Sequence, residues 1–224
     1  MKSIREQLIR LSGARSGCYS LLASWLNPPP HIGVQPNPLE AFREACGLPE
    51  PLARELAADF GELCACGGEQ DEFEYNRLFA GPGHIPVPPY ESLYTEGVLM
   101  GTGSMEVRDE YLEEGLAVTG RSDLPDHASF ELEFMAYLCA GEHSHWESAN
   151  TGQALRYLQK ERVFAKHLSW MPALGSRILS ETASRRYSSL ARALIAFIRL
   201  DSMLVCAVLG TLEEVAWARP ALTA

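Results

Sequence analysis

Apolar residues recur along most of this chain at intervals of three and four positions, the spacing that places them on one face of an α-helix. No run of alternating β-branched residues, the pattern of a half-buried strand, separates these segments. The spacing therefore predicts an all-α fold. We expect one domain over residues 1–224, built as a bundle of about nine to eleven helices.

The charge balance is acidic, with 19 Lys and Arg against 29 Asp and Glu and a formal net charge of -10. Since 46% of the residues are hydrophobic, this charge does not indicate a disordered chain. A nucleic-acid-binding protein needs a basic patch to neutralise phosphates, so the balance argues against that class. A basic partner is favoured instead.

The cysteine pattern and the apolar segments indicate a cytoplasmic protein. Six cysteines fall mostly within apolar helical patterns, which is typical of free, reduced thiols. The most apolar segment, 190–210, is interrupted by Arg192, Arg199 and Asp201, so we expect no membrane span. The first apolar run lacks a small-residue cleavage site and predicts an amphipathic helix rather than a signal peptide.

Local signals mark the ends of several predicted helices. The first helix is expected to be loosened at Gly13 and Gly17, and the next two are expected to end at glycines. Asp123 or Asp126 is the expected N-cap of the long apolar helix, with Pro125 in its first turn. The predicted helices are 4–26, 39–46, 51–66, 69–79, 104–113, 126–143, 148–170 (ending before Pro172) and 185–217; in 69–79, Phe73, Leu78 and Phe79 are available for burial.

Residues 81–92 form the most unusual segment, with four prolines and two glycines. This composition excludes a regular helix and favours an ordered, extended loop. Such a loop loses little conformational entropy when it becomes ordered, and it is flanked by aromatic side chains. It can therefore form one wall of a peptide groove. A structural crossover packed over the bundle is the alternative, and the residues leave both open.

Cysteine and histidine pairs suggest a metal site only weakly. Cys64 and Cys66, with His143 and His145, invite a zinc hypothesis, but paired cysteines in structural zinc sites usually have wider spacing. Buried thiols and a histidine pair near a helix end are the alternative, and we expect no metal. Residues 101–103 form a lone Gly-Thr-Gly, which is a very weak phosphate-binding signal.

An acid–base pair is a second possibility, at the start of the long helix. His127 and Glu131 are four positions apart and can share a face, as an enzymatic dyad would require. Glu131 and Glu133 do not share a face and make a poor paired-carboxylate site. The alternative is that Asp126 caps the helix while the other groups make interhelical hydrogen bonds.

Three blocks of sequence carry a more specific signal. The first motif block contains EYNRLFAGPG at 74–83 and PPYESLY at 88–94. The second contains LPDH at 124–127, ELEFM at 131–135 and Leu138. The third contains Phe164, His167, Leu168, Trp170 and Pro172. In composition and order these blocks resemble the motifs of the TorD/DmsD family of redox-enzyme maturation chaperones.

The resemblance implies a helical cytoplasmic chaperone with no metabolic reaction of its own. Proteins of this family bind the twin-arginine leader, and often the body, of a molybdenum-cofactor oxidoreductase of the dimethyl sulfoxide or trimethylamine N-oxide reductase type. They delay its export until the cofactor is inserted. The resemblance implies no resident cofactor, although weak guanine-nucleotide binding and domain-swapped dimers occur in the family. The peptide-binding residues it implies are Tyr75, Arg77, Leu78, Phe79, Gly81, Pro82, Pro86, Pro89, Tyr90, Glu91, Ser92, Asp126, His127 and Glu131.

A twin-arginine leader presents an apolar stretch beside two guanidinium groups, so its receptor should combine an apolar trough with carboxylates. We expect Leu78 and Phe79 on the floor of that trough and Asp126 and Glu131 at its polar end. Two alternatives remain open. One is an assembly chaperone for a membrane-bound nitrate reductase, and the other is a metal-dependent hydrolase using His127 with Glu131.

Overall fold

The computed structural model describes residues 3–29, 37–65, 67–81, 83–118 and 124–218, with side chains described to residue 212. Within these ranges there are ten α-helices and no β-strand, which confirms the all-α prediction. The helices are α1 (Ile4–Leu26), α2 (Pro38–Cys46), α3 (Glu50–Leu63), α4 (Glu69–Tyr75), α5 (Glu91–Thr95), α6 (Thr102–Glu113), α7 (Ala128–Glu147), α8 (Thr151–Phe164), α9 (Met171–Glu181) and α10 (Arg185–Ala218).

The helices pack around α7 and α10. Helix α1 lies along α7, α7 also packs on α8, and α10 packs on α9 and α3. On α10 the fully buried ring of Phe197 meets three other rings edge-on, those of Tyr19, Phe42 and Phe60, at centroid distances of 5.1, 5.4 and 5.8 Å. Since each such pair contributes about 0.5–1.5 kcal/mol beyond its buried area, this contact set fixes α1, α2 and α3 on α10.

Helix α1 runs without interruption through Gly13 and Gly17, so the expectation that these glycines loosen it is wrong. A Cβ atom at Gly17 would lie 2.8 Å from Cβ of Pro38, and one at Gly13 would lie 3.0 Å from Nδ1 of His143. The two glycines therefore allow α2 and α7 to approach α1 closely.

The predicted segment 69–79 divides into α4 and a π-helical turn, Asn76–Ala80. Leu78 and Phe79 are buried as expected, whereas Phe73 is 71% exposed, so its expected burial is wrong. The wider π turn shifts the helical register by one residue, which turns Leu78 and Phe79 inward. Such turns are frequent at functional sites.

The helix predicted at 148–170 ends earlier than expected. Helix α8 ends at Phe164, a 3-10 turn covers Ala165–Leu168, and α9 begins at Met171. Pro172 lies in the first turn of α9, where its missing N–H is not needed. The proline therefore starts a helix that the sequence analysis did not include.

Helix α10 is long and apolar enough to cross a membrane by length and composition, with a mean hydropathy of 2.0 over its most apolar part. The core helix of a soluble protein passes the same test, so the expectation of no membrane span stays a prediction. The inner face of α10 builds the core through Leu190, Leu194 and Phe197. Its charged residue Asp201 is also buried, against Arg15 of α1.

Arg15 is the centre of a buried ionic cluster that the sequence analysis missed. Its Nε lies 2.6 Å from Oδ1 of Asp201, and its Nη1 lies 2.5 Å from Glu161 and 3.2 Å from Glu142. Burial raises the pKa of Glu161 well above its usual value, and it also raises the pKa of Glu142. One guanidinium thus joins carboxyl groups from α7, α8 and α10 to α1.

Candidate functional site

The first and second motif blocks are joined by main-chain contacts. Tyr90 and His127 form an antiparallel β-bridge. The Ala128 N–H donates to the carbonyl of Pro89 at 2.8 Å, and the Glu91 N–H donates to the carbonyl of Asp126 at 3.0 Å. The end of the proline-rich loop is therefore fixed against the start of α7.

The third motif block reaches both of the others through side chains. Nδ1 of His167 lies 2.9 Å from Oε2 of Glu91 in the first block. Nε1 of Trp170 donates to Oε2 of Glu131 in the second block at 2.8 Å. We call this cluster the motif junction; its members are Glu91, Ser92, Asp126, Glu131, His167 and Trp170.

All members of the motif junction are buried, and the environment suppresses ionisation of one of them. Burial first, and then the negative charge of Glu91, raises the pKa of Glu131 well above its usual value, although the Trp170 N–H opposes this. A protonated Glu131 can donate to the carboxylate of Glu91, and this hydrogen bond raises the pKa of Glu131 further. The proton on Glu131 thus allows its carboxyl group to lie beside that of Glu91 without repulsion between two negative charges.

Four side-chain atoms of the motif junction lack a hydrogen-bond partner among the described residues when Glu91 and Glu131 are both taken as carboxylates. They are Oγ of Ser92, Oδ1 of Asp126, Oε1 of Glu131 and Nε2 of His167. A buried polar atom of this kind costs about 1–3 kcal/mol when unpaired.

The helix start that the sequence predicted at Asp126 lies elsewhere. Helix α7 begins at Ala128, and Nδ1 of its N-cap, His127, accepts from the Ser129 N–H at 3.2 Å. Asp126 instead accepts from the Ser92 N–H at 3.0 Å, because it lies in a turn closed by the His127 N–H and the carbonyl of Leu124, and the bridge to Tyr90 keeps His127 extended. The other candidate cap, Asp123, lies outside the described residues.

This arrangement also separates the proposed acid–base pair. The His127 ring interacts with Ser129 and lies 5.3 Å, centroid to centroid, from Tyr90. The Glu131 carboxyl group is fully buried and is hydrogen-bonded to Trp170. His127 and Glu131 therefore have different neighbours, and the geometry of a hydrolytic dyad is not formed.

The side chains expected to line an open trough lie inside the protein. Tyr75, Leu78 and Phe79 belong to the main hydrophobic core, where the ring of Phe79 lies 5.3 Å from Tyr75 and 5.9 Å from Tyr187. Asp126 and Glu131 are fully buried too. The expected accessibility of these five side chains is therefore wrong, because packing of the π turn and of the motif junction encloses them.

The remaining predicted residues are placed around the proline-rich loop. Glu91, Ser92, Pro89 and His127 are buried, whereas Arg77, Gly81, Pro86 and Tyr90 are partly exposed, and Pro82 lies outside the described residues. Arg77 makes a bidentate ion pair with Glu74, with two contacts of 2.8 Å, and also donates to the carbonyl of Glu181 at 2.5 Å. Arg77 therefore positions the π turn against α9. That any of these residues contacts a peptide stays a prediction.

His167 and Trp170 were missed as site residues, although the sequence contained a signal for them. Both belong to the third motif block, but only the first two blocks supplied candidate residues. Their contacts with Glu91 and Glu131 show that the third block is part of the same cluster.

Within the described parts of the chain, no group of three or more His, Cys, Asp or Glu side chains is arranged to hold a metal ion. Nδ1 of His143 lies 2.7 Å from the carbonyl oxygen of Ile9, and the ring of His145 stacks on Tyr157. Cys66, one of the thiols considered for zinc, lies outside the described residues.

The Gly-Thr-Gly segment begins α6, and its amide groups are already used. The N–H groups of Thr102 and Gly103 each donate to the carboxylate of Glu96 at 2.9 Å. These hydrogen bonds lower the pKa of Glu96. A carboxylate of the chain thus occupies the position that a bound phosphate would take.

Comparison with known proteins identifies relatives of the chain. The profile of the family described as "Nitrate reductase delta subunit" matches residues 37–175. The chaperone protein TorD of Vibrio cholerae serotype O1 is 32% identical over 149 residues, which are 66% of this chain and 60% of that protein. The chain thus matches less than two thirds of the length of this relative.

Two further relatives and one solved structure are also similar. The probable Tat proofreading chaperone DmsD of Haemophilus influenzae is 35% identical over 68 residues, 29% of this chain and 34% of that protein. The perchlorate reductase assembly chaperone protein of Dechloromonas aromatica is 25% identical over 190 residues, covering 79% and 83%. A putative redox enzyme maturation protein from Archaeoglobus fulgidus has 24% identity and a TM-score of 0.42, over 89% of this chain and 96% of that one.

The family match extends over more than half of the chain and includes all three motif blocks. It confirms the resemblance inferred from those blocks. This protein belongs to the nitrate reductase delta subunit family, and its relatives include TorD and DmsD chaperones.

Proposed function

We propose that this protein is a cytoplasmic maturation chaperone for a molybdenum-cofactor oxidoreductase of the dimethyl sulfoxide or trimethylamine N-oxide reductase type. It binds the twin-arginine leader, the body of the apo enzyme, or both, and delays export until the cofactor is inserted. The observation that carries the proposal is the motif junction, where residues as far apart as Glu91 and His167, 76 positions along the chain, are in direct contact.

The relatives support a role in assembly rather than catalysis. They are named as a chaperone, a Tat proofreading chaperone and an assembly chaperone for perchlorate reductase. The motif junction agrees with this role, because its buried side chains hold the proline-rich loop and the start of α7 in place. A binding protein needs such a rigid base under its contact surface.

Binding to the client tests the proposal directly. The apo catalytic subunit encoded beside the gene, with its leader, should co-purify with this protein, and the isolated leader peptide should bind in calorimetry. A peptide with both arginines replaced by glutamine is the matched control and should bind more weakly. If neither the leader nor the apo subunit binds, the proposal is wrong.

Variants for this test should be chosen outside the core. Alanine at Phe79 or Asp126 would disturb packing or the Ser92 hydrogen bond, so loss of binding there would not separate contact from folding. Pro86 and Tyr90 are partly exposed, and their replacement tests the proline-rich loop more cleanly.

A second candidate is an assembly chaperone for a membrane-bound nitrate reductase, and the description of the matching family favours it. Such a client has no functional export leader. Binding of the client subunit before and after removal of its N-terminal segment distinguishes the two candidates. Undiminished binding after removal supports the nitrate reductase type, whereas loss of binding supports the exported type.

A further inference from the structure

Two neighbouring cavities lie along α7, on the part of the helix that carries Glu133. One, of about 350 Å³, is lined mainly by apolar and aromatic side chains that include Tyr111, Leu116, Phe130 and Phe134. The other, of about 440 Å³, lies between α1 and α7 and is lined mainly by small residues that include Ser16, Ser20, Ala136 and Ala140. Volumes of this size are typical of ligand pockets.

Glu133 and Tyr137 line both cavities, so the two adjoin at these side chains. We call the two cavities together the α7 groove. From Phe130 to Ala140 the helix rises by roughly 15 Å, the length of about four or five residues of extended chain. The small residues at one end leave room for a main chain, and the aromatic residues at the other end offer apolar surface.

Glu133 is the only charged residue among the described residues that line the α7 groove. Its side chain is exposed, and Oε1 accepts a hydrogen bond from Nδ2 of Asn27 at 2.7 Å. No Lys, Arg or His of the described residues makes an ion pair with it. Among the residues that the structure describes, the groove therefore presents an anionic group without a paired cation beside apolar surface.

The surroundings of Glu133 suit a guanidinium group better than an ammonium group. The rings of Phe134 and Tyr137 are nearly parallel, with an interplanar angle of 17° and centroids 6.0 Å apart. Phe134 is buried and Tyr137 is partly exposed, so a planar guanidinium can stack on the Tyr137 ring while it donates to a carboxylate. A guanidinium also gives up its hydration more readily than an ammonium. A carboxylate oxygen that already accepts one hydrogen bond has a further lone pair for a second donor.

We propose that the α7 groove binds a client segment in which an arginine lies beside an apolar stretch, with the guanidinium paired to Glu133. The apolar side chains lie against Leu116, Val118 and Phe130, which line the first cavity and are exposed or partly exposed. This inference rests on the proposed function, because its occupant is the leader of the client. In this inference the carboxylate that pairs with the arginine is the accessible one of Glu133, and not the buried ones of Asp126 and Glu131.

The decisive experiment measures binding of a synthetic peptide, two adjacent arginines followed by an apolar stretch, to the full chain by calorimetry. Glu133→Gln removes the charge and keeps the shape, and we expect it to weaken binding about tenfold. Glu147→Gln, at an exposed position near the end of the same helix, is the matched control and should leave the affinity unchanged. Circular dichroism of both variants checks that α7 stays folded.

A double-mutant cycle assigns the pairing. Replacing the arginines of the peptide by glutamine should weaken binding to the wild type, and Glu133→Gln should then cause no further loss. Losses that multiply would overturn the pairing. For the apolar end, Leu116→Ser should weaken binding, whereas Val163→Ser, at another exposed apolar position, should not.

The outcomes separate this inference from the proposed function. If the wild-type protein binds the peptide and the Glu133→Gln variant binds it equally well, the assignment of the α7 groove as the binding site is wrong, while leader binding by the protein stands. If the wild type binds neither peptide nor apo subunit, the proposed function fails. If Glu133→Gln changes the oligomeric state in sedimentation but not peptide affinity, the groove is a contact between copies of this chain, and the inference is also overturned.

Discussion

Nδ1 of His167 lies 2.9 Å from Oε2 of Glu91 in the interior of the protein. This contact joins the third motif block to the first and brings α8 and its 3-10 turn against the end of the proline-rich loop. It gives the motif blocks a shared physical basis, because each supplies polar groups that hydrogen-bond to another block.

Replacing His167 by alanine should destabilise the protein. The change removes one of the hydrogen bonds to the buried carboxyl group of Glu91, which costs about 1–3 kcal/mol of unfolding free energy. Urea unfolding measures this loss. Lys166→Ala is the control, because its ion pair with Glu106 is exposed and contributes only about 0–1 kcal/mol. Equal effects of the two variants would contradict the role assigned to the contact.

Glu131 should make the stability depend on pH. Its raised pKa means that the folded protein keeps a proton that the unfolded chain releases. Its contribution to stability is therefore complete below the unfolded pKa, near 4.5, and is lost as the pH rises through the folded pKa. Glu131→Gln mimics the protonated form, so its unfolding free energy should fall less steeply with rising pH than that of the wild type.

Urea unfolding at a series of pH values above 4.5 measures this difference in slope. Glu133→Gln, two residues away on the exposed side of α7, is the control and should keep the wild-type slope. A slope for Glu131→Gln equal to that of the wild type would mean that Glu131 is ionised in the folded protein.

Loss of Arg15 should be among the most damaging single changes. Arg15→Ala leaves the buried carboxyl groups of Asp201, Glu142 and Glu161 without their cation, and breaking such a cluster costs about 3–5 kcal/mol. The loss should grow with pH, since the carboxyl groups then ionise without compensation. Thermal unfolding at two pH values tests this, with the exposed Arg10→Ala as control. A pH-independent loss would argue against the electrostatic origin.

Two glycine substitutions should act in opposite directions. A Cβ atom at Gly175 of α9 would lie 2.8 Å from the carbonyl oxygen of Ala191 in α10, so Gly175→Ala should destabilise the protein by about 1–3 kcal/mol. Gly61 in α3 has open space at the same point, and Gly61→Ala should stabilise it by about 0.4–1 kcal/mol. Melting temperatures of the two variants show the sign of each effect. A stable Gly175→Ala would mean that α9 and α10 are not in close contact.

Some elements were predictable because their signals are local. For α2, Asn37 caps the first turn by accepting from the Leu39 N–H, Pro38 begins the helix, and Gly47 ends it with a φ of 66°. These three residues lie within the segment they control. The all-α class and the family followed in the same way, from spacing and from short motif blocks that can be recognised without knowing their neighbours.

Other features depended on residues far apart in the sequence. Asp126 is a residue type favoured at N-caps, and the sequence predicts that the helix starts there. The bridge between Tyr90 and His127 places the start of α7 two residues later, at Ala128. The partners of Arg15 could not be predicted from local sequence, because Asp201 is 186 positions away.

The chain by itself determined an all-α fold, its motif blocks and their family. It did not determine which acidic residue is available to a partner. Glu131 and Glu133 belong to the same motif block, yet the first is fully buried beside Trp170 and the second is exposed in the α7 groove. Residues two positions apart on a helix point in different directions. Only the packing of α1, α8 and the proline-rich loop against α7 decides which direction leads to the interior and which to solvent.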